Sequence, residues 1–393
     1  MKPSTRQLFA ASKWILRPEG PKAPFPTQYQ NSSSPVGLDK NLPQRFRKKA
    51  WERDGEDKES WFKRKHAHHH AQAKRRYQEK SFKERRPIDT PRTEPESLKK
   101  TLHQLKSDPL FDHIFGTNSI LASLKAGKRE HYGKLYVHRQ EDSPKFKEVI
   151  KLANEQKIRV VHDVTKHDLN LITGNAVHNG IVLEARPLPT KEIMHLEQST
   201  IDEFSVLKNT WGQLEVDSYP KAHVSNKKYP TGIYLDEVSD PYNVGAILRS
   251  AYFMGVDFIV MSERNCARLS PVVLKASSGA MELMPIFTCA KPLAFFDTSR
   301  TNGWTIVSTV APGSKGNGAA RVKVLNTQDL GKVSEGGPVL LVVGSEATGI
   351  RKNLVSRSDF VVGLQSDRTD VDESVDSLNV SVATALLISK LLS

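Results

Sequence analysis

A chain of 393 residues with a mass of 44.0 kDa has room for two or three domains and a sizeable core. Its hydrophobic fraction of 38% and mean hydropathy of −0.48 imply that part of it is not packed. Two cysteines, Cys266 and Cys289, exclude a disulfide framework and a paired-cysteine metal site, and no apolar run has the length of a bilayer-spanning helix, so no metal or membrane role is expected. The net charge of +14 is concentrated at one end: residues 1–100 hold 25 Lys/Arg against 12 Asp/Glu, residues 101–393 hold 33 against 32. Such asymmetry points to a polyanion partner or a targeting function for the first quarter.

Residues 1–18 carry Lys2, Arg6, Lys13 and Arg17 with no acid before Glu19, and Leu8, Phe9, Trp14, Ile15 and Leu16 lie between them. A basic, acid-free, amphipathic stretch reads as a mitochondrial presequence; a plain basic terminus is the other reading. Residues 19–107 are rich in Pro, Ser, Lys, Arg and Glu and poor in aliphatics, so they are expected to be disordered or transiently helical. Aromatics sit among cations there, in Arg45-Phe46-Arg47, Trp61-Phe62-Lys63-Arg64-Lys65 and Arg75-Arg76-Tyr77. That pattern suits RNA, with phosphates on the cations and bases on the rings, and equally suits a solvated tether. His66, His68, His69 and His70 lack the scaffold of a structural metal site.

Order is expected from Asp108. Helical spacing covers 115–134 and 146–154, and strands are expected at 134–138, 157–162 and 180–185, giving a small α/β domain over 108–190. Residues 191–229 read as a linker with some helix. From 230 to 393 apolar runs alternate with helical spacing. Strands are expected at 232–238, 257–262, 282–287, 304–310, 339–344 and 359–364, with helices at 243–255 and 378–392. Runs apolar throughout indicate a parallel sheet covered on both faces, hence an α/β fold.

Ligands of such sheets bind beyond the carboxyl ends of the strands. No GxGxxG follows the first strand, and Gly344–Gly349 is followed by Ile350-Arg351 where a phosphate loop needs Lys-Ser/Thr, which argues against nucleotide-binding enzymes of those kinds. Three polar clusters remain: Asp240-Pro-Tyr-Asn243-Val-Gly245 running on to Arg249; Gly344-Ser-Glu346-Ala-Thr-Gly349; and Ser377-Leu378-Asn379-Val-Ser381. Taken singly, Asn243 is explained by helix capping, Arg249 by a surface position and Ser377 by capping. Asn379 on so apolar a helix has no local explanation.

In this order the clusters resemble the three motifs of the SpoU family, RNA 2'-O-ribose methyltransferases of the SPOUT class. Upstream, Phe115–Leu124 and Ala176–Ile181 resemble the family's small RNA-binding domain, which is similar to ribosomal protein L30e. With the basic leader, the likeness is greatest to the mitochondrial large-subunit rRNA guanosine 2'-O-methyltransferases. The resemblance implies a trefoil-knotted methyltransferase domain over 230–393, a homodimer, and a mitochondrial matrix location. It implies S-adenosyl-L-methionine at Thr309, Ala311, Gly344, Leu364 and Leu378. Arg249 would stabilise the developing alkoxide, Asn243 and Glu346 would orient Arg249 and the ribose, and Ser377 and Asn379 would shape the pocket. Leu364-Gln365-Ser366 departs from the family's usual Ile-Pro-Met, and the acidic stretch 367–376 is longer than usual. A tRNA methyltransferase or a non-catalytic ribosome-assembly factor on the same fold are the alternatives.

Overall fold

The computed structural model describes residues 49–53, 55, 57–65, 108–138, 142–210, 212–224, 227–310, 322–366 and 377–393. The chain divides into two compact units, Met1–Glu96 and Ser97–Ser393. In the first lie two short helices, α1 (Ala50–Arg53) and α2 (Lys58–Lys65), inside the segment expected to be disordered. Trp51 and Trp61 meet edge to face, centroids 6.4 Å apart, and Lys49 and Lys58 lie over the Trp51 ring. Each such contact supplies about 0.5–1.5 kcal/mol, which orders these turns without an aliphatic core. The expected presequence, Arg45-Phe46-Arg47, Arg75-Arg76-Tyr77 and the histidines at 66–70 lie outside the described residues.

The second unit begins with β1 (Asp112–Phe115), α3 (Thr117–Ala126), β2 (Tyr132–Val137), α4 (Pro144–Glu155), β3 (Arg159–Val161), α5 (Lys166–Thr173) and β4 (Ile181–Ala185). They form a mixed sheet in the order β1-β4-β2-β3 with helices packed on it. The helix expected over 115–134 is shorter, because left-handed Gly127 ends it and the following residues enter β2. Helix α5 was not foreseen; its start is fixed by a capping box between Thr165 and Asp168, and Leu169 and Ile172 anchor it in the core.

Residues 191–229 are not a partly helical linker. They contain β5 (Lys191–Glu192), β6 (His195–Leu196), β7 (Glu203–Thr210) and β8 (Gln213–Pro220), the last three forming an antiparallel sheet. The hairpin turns where Asn209 Oδ1 accepts the Gly212 amide, with Gly212 at φ 87°. Phe204 and Val206 point inward two residues apart, and the Phe204 ring stacks 4.4 Å from Phe258.

The carboxyl part follows as β9 (Thr231–Asp236), α6 (Pro241–Met254), β10 (Phe258–Ser262), α7 (Pro271–Ala276), α8 (Ala280–Leu283), β11 (Ile286–Cys289), α9 (Pro292–Thr301), β12 (Thr305–Thr309), β13 (Lys323–Leu325), α10 (Leu330–Gly336), β14 (Val339–Gly344), α11 (Lys352–Val355), β15 (Phe360–Val362) and α12 (Val380–Leu391). With β5 these strands make an eight-stranded sheet, ordered β13-β15-β12-β14-β9-β10-β11-β5, and its pairings are parallel. Alternate residues feed two cores: Ile233, Leu235, Leu341 and Val343 on one face, Tyr234, Leu340, Val342 and Phe258 on the other. Each such side chain contributes about 1.5–3 kcal/mol on burial. The strand expected at 282–287 starts later, because Pro285 holds Met284 extended and Glu282 belongs to α8. The α/β architecture is as expected: a parallel-sheet domain preceded by a small α/β domain.

Candidate active site at the strand ends

Three adjacent parallel strands end together. Thr309 pairs with Val362 and Ser308 with Val342, so Thr309, Gly344 and Leu364 lie at the carboxyl ends of β12, β14 and beyond β15. The Val310 amide donates to Val362 O at 2.9 Å, joining two of these ends. After β14 the chain folds back on itself: the Gly349 amide donates to Ser345 O at 2.9 Å, and the backbone of Gly349 and Ile350 passes where a Gly344 side chain would stand. Only glycine fits there, and Gly349 itself is left-handed at φ 66°. Ala311 and residues 367–376 lie outside the described residues.

The polar clusters meet at the same end. Asn243 Nδ2 donates to Glu346 Oε1, and Asn379 Nδ2 donates to Asn243 Oδ1 at 3.0 Å. Asn379 Oδ1 accepts from the amide and hydroxyl of Ser381 at 2.9 and 2.6 Å. One hydrogen-bonded chain therefore joins the first turn of α6, the loop after β14 and the start of α12. Two capping assignments change: the N-cap of α6 is Asp240, which accepts from the Tyr242 amide, and the cap of α12 is Asn379 rather than Ser377. Capping uses the Asn379 carbonyl and leaves its amide group to hold Asn243.

Arg249 stands apart from this chain. It lies six residues beyond Asn243, about a third of a turn round α6, exposed and with no partner among the described residues. The expected orientation of Arg249 by Asn243 and Glu346 is not what the side chains do: Glu346 holds Asn243 instead. Ser377 and Leu378 are exposed, Leu378 to 53%.

Comparison with known proteins bears on this arrangement. Residues 230–389 match the SpoU rRNA Methylase family, residues 113–191 the RNA 2'-O ribose methyltransferase substrate binding family, and residues 2–109 the MRM1 N-terminal domain. A Saccharomyces cerevisiae protein named rRNA methyltransferase 1, mitochondrial, is 39% identical over 93% of this chain and 93% of its own. The chain belongs to the SpoU methylase family. The Schizosaccharomyces pombe protein of the same name is 33% identical, covering 77% of this chain and 96% of its own. A solved AdoMet-bound rRNA methyltransferase from Sinorhizobium meliloti shares the fold, with a TM-score of 0.51 and 18% identity over 74% of this chain and 92% of that one.

Sequence reasoning missed one pair in this SpoU methylase. Asp236, wholly buried at the end of β9, accepts from the backbone amide of Arg351 at 3.1 Å and from its Nε at 3.0 Å. Arg351 NH1 also lies 3.6 Å from Glu237 Oε1. This clamp ties the end of the loop after β14 to the neighbouring strand end. The signal was a carboxylate closing the all-buried strand β9, since a buried charge requires a partner.

Proposed function

We propose that the protein methylates the ribose 2'-hydroxyl of a guanosine in mitochondrial large-subunit rRNA, with S-adenosyl-L-methionine as donor. The observation that carries this reading is the Glu346–Asn243–Asn379 hydrogen-bonded chain, which gathers the three motif segments at one end of the sheet. The substrate class and the location rest on the relatives named as mitochondrial rRNA methyltransferases. The strand-end region suits the donor: the half-buried backbone at Thr309–Val310 and Gly363–Leu364 offers amides and carbonyls, and exposed Leu378 offers an apolar wall for an adenine ring. When bound, the sulfonium supplies an already activated methyl group, so the protein's task is positioning and charge stabilisation.

Arg249 is assigned the charge. A guanidinium stays protonated in proteins, so it serves as donor to the developing alkoxide and not as a base; the proton passes to phosphate or water. Asn243, held on both sides, presents a fixed amide edge to the ribose, while Glu346 and Asn379 set its orientation. The same reading gives the carboxyl part a trefoil knot, in keeping with β15 lying outside β12 and β14 before α12 returns to pack on α6. It also makes the protein a homodimer, supported by exposed Val382 and Leu386 one turn apart on α12.

The test is transfer of labelled methyl from S-adenosylmethionine to mitochondrial large-subunit rRNA, followed by nucleoside analysis. Wild type is expected to yield 2'-O-methylguanosine, and Arg249→Ala to lose about 10²–10³ in rate with cofactor affinity retained. Label on tRNA alone would keep the chemistry and change the substrate. Cofactor binding without transfer to either RNA would favour an assembly factor.

A further inference from the structure

Where the small domain meets the methyltransferase domain there is a cavity of about 240 Å³ with a polar lining. Its charged lining residues are both lysines: Lys145 from the first turn of α4 and Lys275 from α7, one from each domain. Lys145 Nζ donates to Asn118 Oδ1 at 3.1 Å and Lys275 Nζ to Asn179 Oδ1 at 2.9 Å. These partners are neutral amides, so neither cation is compensated by them. Burial presses the Lys275 pKa below the ordinary lysine value, and no carboxylate counters that effect. The first turn of α3 forms another wall. Its N-cap is Gly116, no side chain caps it, and Thr117 and Asn118 line the cavity. Two ammonium groups facing an open helix N-terminus form a receptor for a compact anion.

The docking that builds this receptor is close. Gly116, at φ 91°, lies directly beneath the Lys275 side chain, and a Cβ there would collide with it. Gly279 likewise lies against Ala122 and Asn118 of α3, and Asn118 Nδ2 donates to Ser278 Oγ at 3.1 Å. Farther off, buried Arg129 Nε donates to buried Glu282 Oε1 at 2.8 Å across the same junction. Helix α7 packs in turn on α6, where Gly245 admits Ala276. Lys275 is thus set at a fixed distance from the helix carrying Asn243 and Arg249.

We propose that this cavity is a clamp for a backbone phosphate of the RNA substrate, remote from the methylated ribose and assembled from both domains. It rests on the RNA methyltransferase reading above. The clamp sets the register in which RNA lying on the small domain reaches the strand-end site, so it acts in substrate positioning.

The test compares the full chain with Lys145→Gln, Lys275→Gln, the double variant and Lys275→Arg, on an rRNA transcript that wild type methylates. The glutamine variants are expected to raise KM for RNA at unchanged kcat. They should also flatten the slope of log affinity against log salt by about 0.7–0.9, the range for one phosphate contact from single strands to duplex. Lys275→Arg should restore both. Affinity for S-adenosylmethionine, measured separately by calorimetry, should stay at the wild-type value. Lys145 bonds within its own domain, so its variant tests the clamp without disturbing the junction. A double variant with wild-type KM and salt slope would overturn the clamp and leave the methyltransferase reading standing. Wild type that binds no RNA would overturn both.

Discussion

Asn243 shows how much can depend on a single side chain. Its amide donates to Glu346 and its carbonyl accepts from Asn379, so it links segments that are 103 and 136 residues away in sequence. Replacing it with alanine removes both bonds and leaves Glu346 and Asn379 without their mutual tether. Asn243→Ala is therefore expected to lower kcat by about 10²–10³, the usual cost of losing a fixed polar group at a reacting centre. The melting temperature should change little, since the bonds it makes are solvent-accessible. Aspartate at 243 should be worse than alanine, because its carboxylate would face Glu346. Single-turnover methylation with the three proteins checks the order, and an Asn243→Asp protein as active as wild type would remove Asn243 from the site. Glu346→Gln gives the converse case: the bond survives with a neutral acceptor, and activity should be largely kept.

At the scale of elements, two buried charges can be weighed against their surroundings. Asp257, just before β10, accepts from Lys227 Nζ at 2.5 Å and from the amides of Ala222 and Thr231 at 2.6 Å each. It fastens the chain leaving β8 to the start of β9. Asp257→Asn leaves Lys227 buried without its countercharge and is expected to cost about 3–5 kcal/mol in chemical denaturation. In β4 of the small domain, Glu184 is also buried. Burial alone would raise its pKa, but His113, the Tyr136 hydroxyl at 2.6 Å and the Lys134 amide at 3.1 Å together hold it below the usual value. A depressed folded pKa gives stability that is present above the unfolded value of 4.5 and is lost as pH falls through the folded one. Thermal denaturation between about pH 6 and 3 should therefore show wild type losing stability on acidification. Glu184→Gln should lose less over the same range, and equal slopes for the two proteins would refute this assignment. These elements also mark what sequence could reveal. β14 was legible as an unbroken apolar run and β9 from its Ile233-Tyr234-Leu235 centre, and all six residues of each are buried. β7 and β8 were not, because the alternation of Phe204/Val206 and Leu214/Val216 with polar residues lasts only about four residues in each. Motif residues were legible by type and order, but the pairing of Glu346 with Asn243, the Asn379 cap and the Asp236–Arg351 clamp depend on loop geometry that spacing does not encode.

Among the described residues, two exposed apolar side chains lie on the last helix. Val382 and Leu386, four residues apart and 48% and 46% exposed, lie on one side of α12 away from its buried residues. Under the homodimer reading proposed above, this exposed pair is the candidate association surface. On that reading Arg249, exposed and about a third of a turn round α6 from Asn243, would act where two copies meet. The double variant Val382→Lys, Leu386→Glu is expected to sediment as a monomer while wild type sediments as a dimer. Its melting temperature should fall by no more than the loss of intersubunit contacts, because neither side chain belongs to the buried core. Methyl transfer should be lost with the dimer. A monomeric variant with full activity would show that each copy works alone and that Arg249 serves its own chain. A variant still dimeric would move the interface off α12 altogether.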